Sequence, residues 1–151
     1  MHRLVAVALV ALASAGCGGG GGGGVSTDDY VAKADGICGD YQVRLSRIPR
    51  PATGSATELG SYLERALPVA REQLDKLKKL ERPSDDSDRQ DVERVLVLLE
   101  QELDINDAAQ RAAAANDQAS LDSNLEQQAQ LAAEANQIAE QIGFVVCARE
   151  G

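Results

Sequence analysis

Apolar side chains recur every three or four residues in four separate segments of the chain, and this spacing strongly constrains the fold. Such spacing places the apolar residues on one face of a helix. Aromatic residues make up only 3% of the sequence, which favours closely packed helices over a β-sandwich. The sequence therefore predicts an all-α, antiparallel up-down-up-down four-helix bundle over residues 27–151. The first stripe consists of Val31, Ala34, Cys38, Tyr41, Leu45 and Ile48.

Local signals delimit these helices. Thr27 is a candidate N-cap of the first helix, and Asn116-Asp117 forms a short turn before a fourth helix from about residue 118 to 142. Gly143 is suited to end that helix. Pro68 lies inside the second helix, where a missing N–H and a steric clash predict a kink. A clean break into two shorter helices is the alternative.

The N-terminal segment has the pattern of an export signal. Residues 4–15 are apolar or small, a run too short to span a bilayer but suited to the core of a signal peptide. The following Ala15-Gly16-Cys17 resembles the lipobox of bacterial lipoproteins, although Ser14 stands where leucine is commonest. The resemblance implies cleavage after residue 16 and attachment of diacylglycerol to Cys17, with further acylation such as palmitate. Ordinary signal cleavage that leaves a free thiol is the alternative.

Seven consecutive glycines, Gly18–Gly24, follow this cysteine. Glycine at this density does not fold, so residues 17–26 are predicted to be a lipidated, flexible tether. The expected location is the extracytoplasmic face of the cell envelope, with membrane lipid as a partner through Cys17. The sequence leaves open which membrane of the envelope holds the protein.

The two remaining cysteines, Cys38 and Cys147, form an even pair in an oxidising compartment, where disulfides persist. Their pairing would close a loop of roughly 110 residues. By lowering the conformational entropy of the unfolded chain, it would stabilise the fold by about 4–5 kcal/mol. Two free thiols or a metal pair are the alternatives. An intramolecular disulfide favours a monomer over a dimer of two helical hairpins.

The residues that most enzymes and metal sites require are scarce. His2 is the only histidine and belongs to the predicted signal peptide, so the commonest general base and zinc ligand is missing from the mature chain. The acidic run at Asp86 resembles the start of a calcium loop, but Asp91 and Val97 replace the required glycine and glutamate. The sequence predicts no catalytic residue, metal or cofactor. A net charge of −9 disfavours nucleic acid as a partner.

A second resemblance concerns the folded part. The domain carries a short motif near each end. The first consists of Tyr30, Ala34, Asp35, Ile37 and Cys38, and the second consists of Gly143, Phe144 and Cys147. They resemble small, uncharacterised helical lipoproteins secreted by high-GC bacteria. This resemblance implies export, a disulfide and a helical fold, and no activity.

These observations predict a non-enzymatic lipoprotein that serves as a binding or interaction module for an unknown partner. The alternative is a helical bundle that binds a small apolar or cationic ligand near the kink of the second helix. In that case Tyr30 and Tyr62 are candidates to line the pocket near Pro68. Tyr41 lies on the apolar stripe and is expected in the core.

Overall fold

The computed structural model describes residues 24–149, which form a bundle of four helices. Consecutive helices pack against each other along the chain, which confirms the predicted all-α four-helix bundle. The predicted signal peptide, residues 1–16, and Cys17 lie outside the described residues. The helices are α1 (Thr27–Leu45), α2 (Ala56–Lys78), α3 (Asp86–Ala114) and α4 (Gln118–Ile142), followed by a short 3-10 helix, Cys147–Arg149.

Short polar side chains cap the helices where the backbone N–H groups lack partners. The side chain of Asp85 accepts hydrogen bonds from two backbone N–H groups of α3, and Asp117 accepts one from Ser120. The prediction for α1 was wrong by one residue, because Ser26 is the cap and its Oγ accepts from the Asp29 N–H at 3.1 Å. Thr27 instead donates its hydroxyl hydrogen to the Asp88 carboxylate.

The core consists of two clusters stacked along the bundle. The first contains residues from all four helices and from the C-terminal segment. The second is built from α2, α3 and α4 without α1. Pro68 lies within α2, which continues through it as one helix, so the alternative of a clean break is excluded, while a kink at this position stays a prediction.

The C-terminal segment folds back onto α1. The Cys38 and Cys147 Sγ atoms lie 2.06 Å apart, at the bonding distance of a disulfide. Gly143 ends α4 with φ at +106°, a conformation that favours glycine. The Asp35 carboxylate accepts hydrogen bonds from the backbone N–H groups of residues 145, 146 and 147 at 2.9–3.1 Å. A covalent bond and three hydrogen bonds therefore hold this segment in place.

The chain reaches α1 through a fixed segment. The Val25 N–H donates to the Arg82 carbonyl at 3.1 Å, and the Val25 carbonyl accepts from the Ser84 N–H at 2.8 Å. A Cβ atom on Gly24 would lie 2.8 Å from the Arg82 carbonyl oxygen and 2.9 Å from the Ser84 nitrogen. Residues 24–26, which the sequence assigns to the tether, are therefore held against the connection between α2 and α3.

Candidate functional site

The last turns of α1, after Cys38, do not reach the core. Ala34 and Cys38 are buried as the stripe predicts, but Tyr41, Leu45 and Ile48 on the same stripe are only half-buried. A cleft of about 790 Å³ lies between this part of α1 and the bundle. It is lined by Tyr41, Gln42, Leu45, Ser46, Arg50, Pro51, Leu59, Tyr62, Leu63, Ala66, Leu67, Ala70, Gln73, Leu74, Leu77, Leu99, Glu102, Leu103, Asn106, Gln128, Val145 and Val146.

Polar contacts rather than core packing hold the last turns of α1 to their neighbours. Arg44 on α1 pairs with Glu72 on α2 at 2.8 Å, and Lys76 reaches the same carboxylate at 3.1 Å. Hydrogen bonds from these two cations lower the pKa of Glu72 to about 2, and the bond from Arg44 has the larger effect. The Gln42 amide donates to the Val146 carbonyl at 3.3 Å. These contacts hold the end of α1 in place, although the cleft beneath it is not filled by side chains.

The cleft walls combine an aliphatic surface with many hydrogen-bonding side chains. Most of the aliphatic surface comes from leucines and alanines of α2 and α3. The hydroxyl groups of Tyr41 and Tyr62 and the amides of Gln73 and Gln128 add polar groups. Ligand pockets commonly have this mixture and volumes of roughly 300–1,000 Å³. The arrangement is suited to binding a small molecule that has both an apolar and a polar part.

One carboxyl group stands out in this apolar wall. Glu102 on α3 is half-buried, and its Oε2 accepts a hydrogen bond from the Gln128 amide at 3.4 Å. Burial raises the pKa of Glu102 to about 7, and the hydrogen bond from Gln128 opposes this effect only weakly. No ion pair between residues 24 and 149 includes Glu102. Its charge is therefore poorly compensated.

Glu102 also borders a second, smaller space. A cavity of about 40 Å³ lies beside the disulfide and is lined by Gln73, Glu102 and Asn136 among mainly apolar residues. The Gln73 amide nitrogen lies 3.3 Å from the Cys38 sulfur. Four residues line both spaces and therefore lie between them, namely Gln73, Leu77, Leu99 and Glu102.

Two tyrosines lie in places that differ from expectation. Tyr30 is buried in the core, where its ring packs edge-on against Phe144 with centroids 6.1 Å apart, and it lines the smaller cavity rather than the cleft near Tyr62. Tyr41, expected in the core, lines the cleft. The reversal arises because the first turns of α1 pack on all three other helices, whereas its last turns do not. Tyr62 lines the cleft, but Pro68 is exposed and does not.

The sequence contains a signal for Glu102. The apolar stripe of α3 includes Leu99, Leu103 and Ala109. Glu102 and Asn106 lie beside Leu103 and follow the spacing of three and four residues from Leu99 to Ala109, so two polar side chains border the inward face. Both of them line the cleft.

Residues 24–149 contain neither a metal cluster nor a membrane-spanning helix. This part of the chain contains no group of three or more histidine, cysteine or acidic side chains placed to hold a metal ion. None of its helices combines the length and hydrophobicity needed to cross a membrane.

Comparison with known proteins gave no relative. No model of a protein family, no curated protein and no solved structure matches this chain. Inferences about function therefore depend on the cleft itself.

Proposed function

We propose that this protein is a lipid-anchored, extracytoplasmic binding module without catalytic activity, and that its cleft takes a small ligand with an apolar part. The observation that carries this proposal is the volume of about 790 Å³ beneath the half-buried end of α1. Closely packed bundles do not leave spaces of this size between their helices. A protein with an unfilled apolar cleft gains stability when a ligand buries that surface.

The position of the cleft favours a small molecule over a protein partner. The large exposed hydrophobic residues among the described residues are Val43, Val97 and Val145, and of these Val145 lies at the cleft. Isolated exposed valines are normal on protein surfaces, whereas partner surfaces expose a continuous apolar area. The concave leucine-rich wall is the larger apolar feature, and it is suited to surround a ligand.

An uncharged fluorescent probe tests this proposal. The full-length oxidised chain with Cys17→Ser, which removes the proposed acylation site, is titrated with N-pentyl dansylamide. Dansyl emission shifts to the blue and intensifies in an apolar environment, so we expect saturable binding. Ala70→Trp places a large side chain at the cleft wall and should weaken binding at least about tenfold.

Ala133→Trp is the matched control, because Ala133 is exposed on α4 and the added side chain is the same. Circular dichroism verifies that both variants remain helical. Absence of saturable binding, or equal weakening by both substitutions, would contradict the proposed function.

The anchor is tested separately by mass spectrometry. Protein purified from membranes of its host without reductant should have the mass of residues 17–151 plus acyl groups. An unacylated mass would show that Cys17 is not lipidated and would leave the cleft proposal untouched.

A further inference from the structure

We propose that the ligand of the cleft carries a primary amine, and that Glu102 binds this amine as its counter-ion while the aliphatic wall holds an apolar body. This inference rests on the proposed function and specifies its ligand class. It would make the cleft a site for cationic amphiphiles.

The charge distribution of the cleft supports a cation. Glu102 is the only acidic side chain among the described residues that line it, and it makes no ion pair with any of them. Arg50, exposed on the connection between α1 and α2, is the only basic one. A buried charge without a partner is costly, and an ammonium group brought by a ligand would compensate it.

The neighbours of Glu102 do not neutralise its charge, so a ligand would have to do so. The surrounding groups from α2 and α4 are the neutral amides of Gln73, Gln128 and Asn136. Amides satisfy hydrogen bonds of a carboxylate without neutralising its charge. The raised pKa of Glu102 is consistent with this incomplete compensation.

The chemistry of the remaining wall limits the ligand further. Tyr41 and Tyr62 offer aromatic faces, which attract ammonium groups as well as apolar surface. Leu59 and Leu103, which are half-buried, provide aliphatic contact for the rest of the molecule. A wholly polar cation would leave this wall exposed to water, so an amphiphile fits better than a simple metal ion or a small diamine.

A matched pair of probes tests the inference. Dansylcadaverine equals N-pentyl dansylamide with a primary amine at the end of the alkyl chain. At about pH 8, where Glu102 is mainly ionised, the amine probe should bind the full-length Cys17→Ser chain at least about tenfold more tightly than the neutral probe. In Glu102→Gln this preference should disappear, because the amine probe then binds as weakly as the neutral one.

Two controls make the outcomes distinct. Glu126→Gln removes the same charge from an exposed position on α4 and should leave both affinities unchanged. Binding of the neutral probe by Glu102→Gln shows that the variant keeps its cleft. Equal affinity of both probes for the parent chain would overturn the amine assignment and leave the proposed function standing. Failure of both probes to bind would overturn both.

Discussion

Replacing Glu102 by glutamine should stabilise the protein, and the gain should depend on pH. The folded state raises the pKa of this carboxyl group from 4.5 to about 7, so it binds the proton more tightly than the unfolded state does. Stability therefore falls as the pH rises between these values, and the full penalty is present above them. Below about pH 4 the protonated carboxyl and the amide are alike in charge, so the substitution should have little effect.

The magnitude follows from the size of the shift. If the whole shift of the pKa from 4.5 to about 7 acts on stability, the ionised carboxyl group destabilises the folded state by about 3 kcal/mol. Since Glu102 is only half-buried, solvent screening reduces this figure, and we expect a gain of about 1–2 kcal/mol at about pH 8. The groups around it, Gln73, Gln128 and Asn136, do not titrate, so the pH dependence belongs to Glu102 itself.

The assay is urea unfolding of the oxidised chain, followed by far-ultraviolet circular dichroism at about pH 4 and about pH 8. The difference between variant and parent is compared at the two values, which cancels the titration of all other groups. Glu126→Gln, at an exposed position, should change the free energy of unfolding by less than about 0.5 kcal/mol at either pH. A gain that is equal at both pH values, or a loss at about pH 8, would refute the reasoning.

Three further predictions concern the ends of the domain. Substituting both Cys38 and Cys147 by alanine should lower the free energy of unfolding by about 4–5 kcal/mol, seen as a lower urea midpoint; an unchanged midpoint would contradict the pairing. Gly24→Ala should destabilise the protein by about 1–3 kcal/mol, because its Cβ would overlap backbone atoms of the connection between α2 and α3. Gly36→Ala has open space around it and should stabilise α1 by about 0.5–1 kcal/mol. Thermal unfolding compares the two, and equal shifts would refute the docking of Gly24. Asp35→Ala should cost about 1–3 kcal/mol, since three backbone N–H groups lose their acceptor, and amide hydrogen exchange should accelerate at residues 145–147 while α3 stays protected.

Much of the fold could be predicted because the decisive signals are local. Asp85 and Asp117 cap the helices that they precede, and Gly143 ends α4 as its position in the sequence indicates. The pairing of Cys38 with Cys147 was expected from an even number of remaining cysteines and from the oxidising compartment that the export signal predicts. Each of these inferences requires only the neighbouring residues or a simple count.

The cleft could not be predicted because it depends on how far one helix remains in contact with the others. A spacing of three and four residues shows which face of α1 is apolar, but it does not show whether a partner lies opposite every turn. For this reason Tyr41 and Leu45 look like core residues in the sequence and line an open space in the structure. Glu102 was accessible to sequence reasoning, since a polar residue at an inward position is unusual in a bundle.

The disulfide also governs how the domain responds to mechanical force. If the chain is pulled at both ends, the load first meets the two backbone hydrogen bonds of Val25 and then unwinds α1 as far as Cys38. From there the covalent bond transfers the load directly to Cys147, 109 positions further along the chain. The segments that form the cleft lie almost entirely within this bypassed loop, so tension on the ends would extend the outer segments while the cleft carries little of the force.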